Sequence, residues 1–307
     1  MTERTVSGDD AAGGGAPRLD AFVATALPHV SRRLCRELIA SGAVRVNGRV
    51  AAKNGIRLRV GDRVALPDLP LALAPEPELA LAVPYEDAAM AAVEKPGGMP
   101  AHALDPRERG TAAAFVLARW PETGTVGDRL APGLVHRLDT GTSGLLLAAR
   151  TPEAWSALRA AFAAHAVEKR YLAVVRGGRV PWRTERVDVP LAHDPRDRRR
   201  MTAAPPGARA WPAETTVEVL AAAEETALVA ATIRTGVTHQ VRVHLALLGL
   251  PVLNDALYGG APADALPPGR HALHAERLLV PHPADGRRVV LTSALPADLA
   301  ALARGLR

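Results

Sequence analysis

Short apolar runs separated by turns dominate the chain after about residue 81. Five of these runs have the length of a buried strand, at 89–93, 145–149, 171–175, 216–220 and 228–233. An apolar run of four to eight residues that is bounded by turns is typical of a strand with both faces covered. Helices are expected at 111–120, 152–165 and 239–249. The mixture predicts an α+β domain built on a mainly antiparallel mixed sheet.

A different pattern occupies residues 17–67. Helical spacing begins at Leu19, and Ser31 is a good N-cap for a second helix that should end at Gly42. Asn47-Gly48 then predicts a two-residue hairpin turn between short strands. These elements predict a small α/β module that precedes the larger domain.

Composition sets the remaining boundaries. Residues 1–16 are rich in Gly, Ala, Asp and Thr without periodicity, which predicts a disordered tail. Residues 68–80 are Pro-rich and predict a linker. The larger domain should therefore span residues 81–307.

Charge and cysteine usage narrow the class of protein. The net charge is +6 with a pI near 10.2, which favours a polyanionic partner, although a genomic bias toward Arg codons explains it equally well. Cys35 is the single cysteine, so an intrachain disulfide and a cysteine metal cluster are both excluded. No apolar stretch reaches the length of a membrane span, and a cytoplasmic protein is expected.

Asp139 is the residue whose surroundings carry the most chemical information. It follows the apolar start of segment 133–147 and stands between Arg137 and a Thr-Gly turn. A carboxylate held at the mouth of a sheet can act as a nucleophile or a general base. The string at 139–143 is also that of an aspartic protease, but such an enzyme needs two carboxylates that share a proton, and the chain has no second Asp-Thr/Ser-Gly.

Segment 133–147 resembles the active-site motif of the RluA-type RNA pseudouridine synthases. Four other segments resemble motifs of the same family in the same order, at 93–100, 168–175, 234–244, and 273–275 with 281–283. An ordered set is far more specific than any single string. The resemblance implies the pseudouridine synthase fold and the isomerisation of uridine in RNA, with no cofactor and no metal.

The resemblance also implies roles for individual residues. Asp139 would be the nucleophile, Arg242 its counter-ion, and Tyr171 would pack against the base and help remove the proton from carbon 5. Arg137 would help to hold the target uridine out of its stack. Further substrate-binding positions are His136, Lys169, His239 and Gln240. The plainer alternatives are a turn cap for Asp139, strand packing for Tyr171 and a surface position for Arg242.

The module at 17–67 resembles the small RNA-binding domain shared by a small-subunit ribosomal protein and tyrosyl-tRNA synthetases. The resemblance rests on Arg18-Leu19-Asp20, Ser31-Arg32, Val46-Asn47-Gly48 and Gly61-Asp62. It implies a phosphate-contacting face of Arg32, Arg33, Arg36, Arg45 and Lys53. Without the hairpin pattern, the same cations would be interpreted as the solvent-exposed face of a helix with no role in RNA contact.

Two positions depart from the family pattern. Val237 occupies the place of a usual Arg or Lys, and Asn254 stands where Gly is usual before Asp255. The Arg-rich run at 196–200 is either a solvated loop or an RNA contact. The histidines at 239, 244, 274 and 282 are expected to be structural rather than metal ligands.

A catalytically silent RNA-binding protein on the same scaffold remains the alternative function, favoured by Val237. Ribosomal RNA is the preferred partner and tRNA stays open. A monomer is expected.

Overall fold

The structure is a computed structural model that describes residues 1–11, 16–28, 30–178 and 180–306. The chain divides into two compact units, and each has its own hydrophobic core. The smaller unit is Met1–Ala74 with Ala103–Arg109, and the larger is Pro75–His102 with Gly110–Arg307. The boundary between Ala74 and Pro75 falls within the segment predicted to be a linker.

The smaller unit packs two helices against a four-stranded sheet, counted over its described residues. The elements are β1 Thr2–Thr5, α1 Leu19–Ala26, α2 Arg32–Ala40, β2 Arg45–Val46, β3 Arg49–Val50 and β4 Arg63–Leu66. The side chain of Ser31 accepts the amide of Leu34 at 3.2 Å, as expected of an N-cap. The predicted hairpin is confirmed, since Asn47 and Gly48 both have positive φ, as a tight two-residue turn requires. Cys35 lies on α2, and its side chain is buried in the core of this unit.

The prediction of a disordered tail at 1–16 is wrong for its first residues. Strand β1 pairs antiparallel with β4 from Thr2 to Thr5, and Val6 is buried in the core of the smaller unit. The side chains of β1 are all exposed, so no hydrophobic pattern marks the strand. It forms because backbone groups at an open sheet edge accept another strand whatever its side chains. Residues 12–15 of the predicted tail lie outside the described part of the chain.

The larger unit contains the predicted helices and strands, together with several strands that the sequence pattern did not reveal. Its helices are α3 Ala112–Arg119, α4 Pro152–Ala163, α5 Gln240–Leu247 and α6 Ala297–Ala303. Its strands are β5 Tyr85–Glu86, β6 Met90–Lys95, β7 Gly127–Asp128, β8 Ala131–Pro132, β9 Ser143–Ala149, β10 Glu168–Arg176, β11 Thr184–Asp188, β12 Leu191–His193, β13 Met201–Ala203, β14 Glu214–Ala222, β15 Thr226–Ile233, β16 Leu273–Pro281 and β17 Arg288–Thr292.

Nine strands of the described residues form the main sheet. Their order is β11-β14-β15-β10-β16-β9-β6-β5, with β17 paired to β16. The contact between β16 and β9 is parallel, and the other pairs are antiparallel. This arrangement confirms the predicted α+β class with a mainly antiparallel mixed sheet.

Strand β9 lies near the middle of this sheet, and all of its side chains are buried. Its neighbour β16 approaches so closely at Gly144 that an added Cβ would lie 2.3 Å from the carbonyl oxygen of Ala275. Gly144 also has a φ of +116°, which L side chains rarely adopt. The chain that enters β9 is therefore fixed in place by a backbone contact that only glycine permits.

Candidate active site

The loop that precedes β9 carries Asp139 to the wall of a cavity of about 540 Å³. The carbonyl of Asp139 accepts the amide of Thr142 at 3.0 Å, which closes a turn. At Gly141 an added Cβ would lie 2.2 Å from the carbonyl oxygen of Gly269, so the turn has no room for a side chain there. The Asp139 side chain retains 21% of its exposure and faces the cavity.

Arg242 links two carboxylates. Its Nη1 donates to Oδ2 of Asp139 at 2.7 Å, while Nε and Nη2 donate to the two oxygens of Asp255 at 2.6 and 2.9 Å. Arg242 is 3% exposed and Asp255 is fully buried. The second carboxylate therefore fixes the guanidinium in a bidentate pair and directs its remaining nitrogen at Asp139. The two acids do not share a proton, as an aspartic protease would require, because a cation bonds to both.

This geometry keeps Asp139 ionised. Burial acts to raise the pKa of Asp139, but His239 and Arg242 outweigh it, and the pKa lies below its ordinary value of 3.8. The hydrogen bond from Arg242 stabilises the charged form directly. A charged carboxylate that opens onto a cavity is what nucleophilic attack requires.

His239 is held next to Asp139 by an unusual backbone conformation. Its φ of +58° lies in the left-handed region, immediately before α5. Its Nδ1 lies 2.8 Å from the Tyr258 hydroxyl, and its Nε2 lies 3.8 Å from Oδ2 of Asp139. Burial lowers the pKa of His239 although Asp139 opposes that effect. A non-glycine residue in this region is strained, and such strain concentrates at functional sites.

Tyr171 lies on β10 and lines the same cavity. Burial first, and then the charge of Asp139, raise the pKa of the Tyr171 phenol above its ordinary value of 10.0. The phenol is therefore protonated at neutral pH. It presents an apolar ring with a polar tip to whatever enters the cavity.

Three other predicted substrate-binding residues line the cavity, but their polar atoms bond within the protein. Nε2 of His136 accepts the amide of Leu147 at 3.0 Å. The ammonium of Lys169 donates to the carbonyl of Thr235 at 2.7 Å, and burial lowers its pKa to about 8. Gln240 fills all four of its hydrogen-bonding positions, with the Glu214 carbonyl, the hydroxyls of Thr215 and Thr235, and the Val237 amide. Arg137, by contrast, is exposed on the cavity lining.

Sequence reasoning missed two buried cations, Lys95 and Arg270, that bond to backbone carbonyls of the loop around Asp139. Lys95 is 1% exposed and donates to the carbonyls of Pro96, Met99 and Thr140 at 2.9, 2.7 and 3.2 Å. Burial and then the charge of Arg270 lower its pKa to about 7. Arg270, also buried, donates to the Gly141 carbonyl at 3.0 Å. Lys95 stands within the family-like segment 93–100, so its place in that segment was the available signal.

The two departures from the family pattern have local explanations. Val237 packs against the small core around Val243 and Tyr258, and the counter-ion position at Asp139 is filled by Arg242 without it. Asn254 has a φ of +62°, a conformation that asparagine tolerates nearly as glycine does. Its side chain donates to the carbonyls of Pro267 and Arg270, so it adds two bonds that glycine would lack.

The five cations predicted to contact RNA are all exposed on the smaller unit. Two of them have acidic neighbours. Arg33 lies 3.4 Å from Glu37, and Arg36 lies 3.7 Å from Asp20. At such exposure these pairs are weak and leave the cations available to phosphate.

The predicted structural histidines bond inside the larger unit. His244 contacts the Thr215 hydroxyl and the Val189 carbonyl, and His274 contacts the Ser143 hydroxyl and the Ser293 carbonyl. Within the described ranges, no group of three or more metal-ligating side chains is arranged around a common point. None of the helices described is both long and apolar enough to cross a bilayer.

Comparison with known proteins gives consistent results. Residues 89–247 match the family described as RNA pseudouridylate synthase, and residues 17–64 match the S4 domain. The chain is 40% identical over 295 residues to an uncharacterised RNA pseudouridine synthase of Chloroflexus aurantiacus, covering 95% of this chain and 90% of the relative. It is 36% identical over 315 residues to the ribosomal large subunit pseudouridine synthase D of Xanthomonas campestris, covering 97% and 91%.

A solved structure also resembles the chain. The human RNA pseudouridylate synthase domain containing 1 aligns with a TM-score of 0.55 at 25% identity. The alignment covers 73% of this chain and 94% of the human one.

Proposed function

This chain belongs to the RNA pseudouridylate synthase family, and from that premise we propose that it isomerises selected uridines of ribosomal RNA with Asp139 as the nucleophile. The observation that carries the proposal is the 2.7 Å bond from Arg242 to Asp139 at the wall of the cavity. It supports an ionised carboxylate at the wall of a cavity that a flipped base could enter. The cavity volume of about 540 Å³ lies within the range of pockets that enclose small molecules.

The reaction is redox-neutral and needs no external reactant. The bond between C1′ of the ribose and N1 of uracil breaks, the base rotates, and C1′ bonds to carbon 5. The proton leaves carbon 5, and N1 ends with a proton. Asp139 attacks either C1′ or the base, and the bond that it forms breaks again before the product leaves, which regenerates the carboxylate. In both cases Asp139 must enter as the anion, which the bond from Arg242 favours.

Tyr171 is assigned to packing against the base and to removal of the carbon 5 proton. The raised pKa of Tyr171 means that the phenol still carries its own proton when uridine binds. It can therefore accept the carbon 5 proton only if it gives up its own, and N1 of the base, which ends with a proton, is the acceptor of that proton. Arg137, exposed at the cavity, fits the role of holding the uridine out of its stack.

His136, Lys169 and Gln240 are assigned to shaping the cavity rather than to bonding the substrate. Their polar groups already have protein partners, so a substrate bond would have to displace one of these contacts. His239 differs, because its Nε2 lies 3.8 Å from Oδ2 of Asp139, the proposed nucleophile. It is the member of this predicted set that is best placed to contact the uridine.

Ribosomal RNA is proposed as the target on two grounds. A relative that spans nearly the whole chain is named as a large-subunit synthase. The smaller unit matches an S4 domain and exposes Arg32, Arg33, Arg36, Arg45 and Lys53, which suit phosphate contacts. Transfer RNA is the alternative that the same experiment examines.

The test measures tritium release from ribosomal and transfer RNA labelled at carbon 5 of their uridines. Wild type should release tritium, and Asp139→Asn, which keeps the shape but not the charge, should release none while still binding RNA. Asp264→Asn is the matched control, since it makes the same change at an exposed position. Release by Asp139→Asn at the wild-type rate would overturn the nucleophile assignment.

Failure of wild type to release tritium from either RNA, with binding retained, would favour the silent RNA-binding protein. The absence of a cation at Val237 was the reason for considering it. The ion pair at Asp139 forms without that cation, which weighs against the silent alternative.

A further inference from the structure

One tryptophan at the cavity has no role in the reaction described above. Trp211 lines the cavity and is 36% exposed. It is the single aromatic residue among the exposed large hydrophobic side chains in the described part of the chain. Tryptophan is usually buried to a much greater extent. An exposed indole at the rim of a binding cavity therefore calls for an occupant.

Two hydrogen bonds anchor the main chain of the residue that carries this indole. The amide of Trp211 donates to the Leu191 carbonyl at 2.8 Å, and the Leu191 amide donates back to the Trp211 carbonyl at 2.9 Å. Leu191 is fully buried in strand β12 and belongs to the small core near α5. The main chain at Trp211 is thus anchored to the larger unit. A ligand that stacks on the ring therefore restricts little additional backbone motion of the protein, which keeps the entropic cost of binding low.

Two further side chains surround the ring. His193 meets it edge-on, with centroids 5.5 Å apart at 88°. The guanidinium of Arg209 lies 5.9 Å from the ring centroid, and both His193 and Arg209 are exposed. An aromatic ring with a neighbouring cation is the combination that binds single-stranded nucleic acid, by stacking on a base and neutralising its phosphate.

We propose that Trp211, with Arg209 and His193, is a stacking platform for the nucleotide next to the target uridine. The inference rests on the proposed function, since it assumes that the uridine enters the cavity that contains Asp139. Flipping a uridine disrupts its stacking on its neighbours. A protein surface that accepts an adjacent base at the cavity rim offsets that loss and favours RNA whose target lies in an unpaired segment.

The platform should affect substrate binding and leave the chemical step alone. Loss of one stacked base weakens binding by about 5- to 150-fold. Trp211→Ala should therefore raise KM for carbon-5-tritiated ribosomal RNA within that range while kcat changes by less than about threefold. Trp211→Phe should restore most of the affinity, because every base can stack on a phenyl ring. A purely structural role would instead lower kcat or stability and would not be rescued by a smaller ring.

A matched control is Trp182→Ala, which removes a partly exposed tryptophan outside the cavity lining and should leave KM unchanged. A binding readout uses indole fluorescence in Asp139→Asn protein titrated with unlabelled ribosomal RNA. All four tryptophans, at 120, 155, 182 and 211, belong to the larger unit, so RNA bound only by the smaller unit contributes little. Stacking should quench the signal, and the additional change Trp211→Phe should remove most of that quenching.

The outcomes separate the two proposals. Tritium release by wild type, with an unchanged KM in Trp211→Ala, overturns the platform and leaves the proposed function standing. No release by wild type overturns the proposed function, and the fluorescence titration then decides the platform alone. Quenching that depends on Trp211 supports it, and quenching that survives Trp211→Phe overturns it.

Discussion

Replacement of Arg242 by methionine tests whether its ion pairs hold the site together. The change removes the two bonds to Asp255 at 2.6 and 2.9 Å and the bond to Asp139 at 2.7 Å. Asp139 can draw on water from the cavity, whereas Asp255 is fully buried and would lie uncompensated. Two hydrogen bonds to a charged group contribute about 3–6 kcal/mol. Breaking a buried pair from one side destabilises by about 3–5 kcal/mol.

We therefore expect Arg242→Met to lower the free energy of unfolding of the larger unit by about 3–5 kcal/mol. The assay is urea unfolding followed by intrinsic fluorescence, which reports on this unit because it contains every tryptophan of the chain. Much of the loss comes from the stranded charge of Asp255 rather than from the missing guanidinium. Because Asp255→Asn removes that charge, the double variant Arg242→Met/Asp255→Asn should lose less free energy of unfolding than the sum of the losses in the two single variants.

The double-mutant cycle provides the refutation. Residues in direct contact show coupling energies of about 0.5–3 kcal/mol, and this pair should lie in the upper half of that range. Coupling below about 0.5 kcal/mol would show that the two residues act independently, against the reasoning above. Neither variant should regain tritium release, because Asp139 has lost the partner that favours its ionised form.

Activity against pH adds an independent check on the same pair. The pKa of Asp139 lies below 3.8, so this carboxylate remains ionised throughout the range from pH 5 to 8. The acidic limb of kcat/KM in wild type should therefore lie below pH 4. The bond from Arg242 Nη1 to Asp139 favours the ionised carboxylate. Arg242→Lys keeps the positive charge but has one nitrogen in place of the three that bond Asp139 and Asp255, so this bond is weakened and the limb should move upward. An unmoved limb would mean that Arg242 does not control the charge of Asp139.

Three further outcomes are expected. Burial lowers the pKa of His136 to about 3 in the folded chain. Between pH 6.5 and 3 this histidine is therefore protonated in the unfolded chain but neutral in the folded chain, so the free energy of unfolding decreases as the pH falls. His136→Gln keeps an acceptor for the Leu147 amide and should remove up to about 3 kcal/mol of that dependence, measured by urea unfolding at pH 4 and 7. Lys95→Met removes the donor to the carbonyls of Pro96, Met99 and Thr140, so it should lower the free energy of unfolding by about 2–4 kcal/mol and reduce kcat. A kcat equal to that of wild type would show that the loop does not need these bonds. Val6→Asp should destabilise the smaller unit and weaken RNA binding without changing the kcat of the larger unit, and an unchanged RNA affinity would contradict this.

The sequence predicted those features that depend on local pattern. The apolar run at 145–149 predicted a buried strand, and the motif before it placed Asp139 at its mouth, where the structure also has it. Arg242 was selected by its place in segment 234–244, and it does contact Asp139. In each case the information lies within about ten residues, which a periodicity or a motif can carry.

What escaped prediction depends on contacts between distant segments. Asp255 stands 13 residues beyond Arg242, and no periodicity connects them, so its role as the second anchor was invisible. The parallel contact of β16 with β9 joins His274 to Ser143, and the edge strand β1 has no apolar pattern at all. Gln240 was assigned to substrate because the motif contains it, yet motif membership does not distinguish a side chain that meets substrate from one that braces the loop.

The tight backbone contacts behind the catalytic loop also constrain how this protein can change over time. At Gly141 and Gly144 a single added carbon atom would collide with a neighbouring carbonyl, so almost any substitution there would displace Asp139. The rim around Trp211 and the loop at 194–200 have no such restriction, since their side chains are largely exposed. Under the proposed function, chemistry would therefore depend on the glycine-constrained loop and target choice on the exposed rim. New RNA targets could then be acquired by substitution at the rim while the position of the carboxylate stays constant.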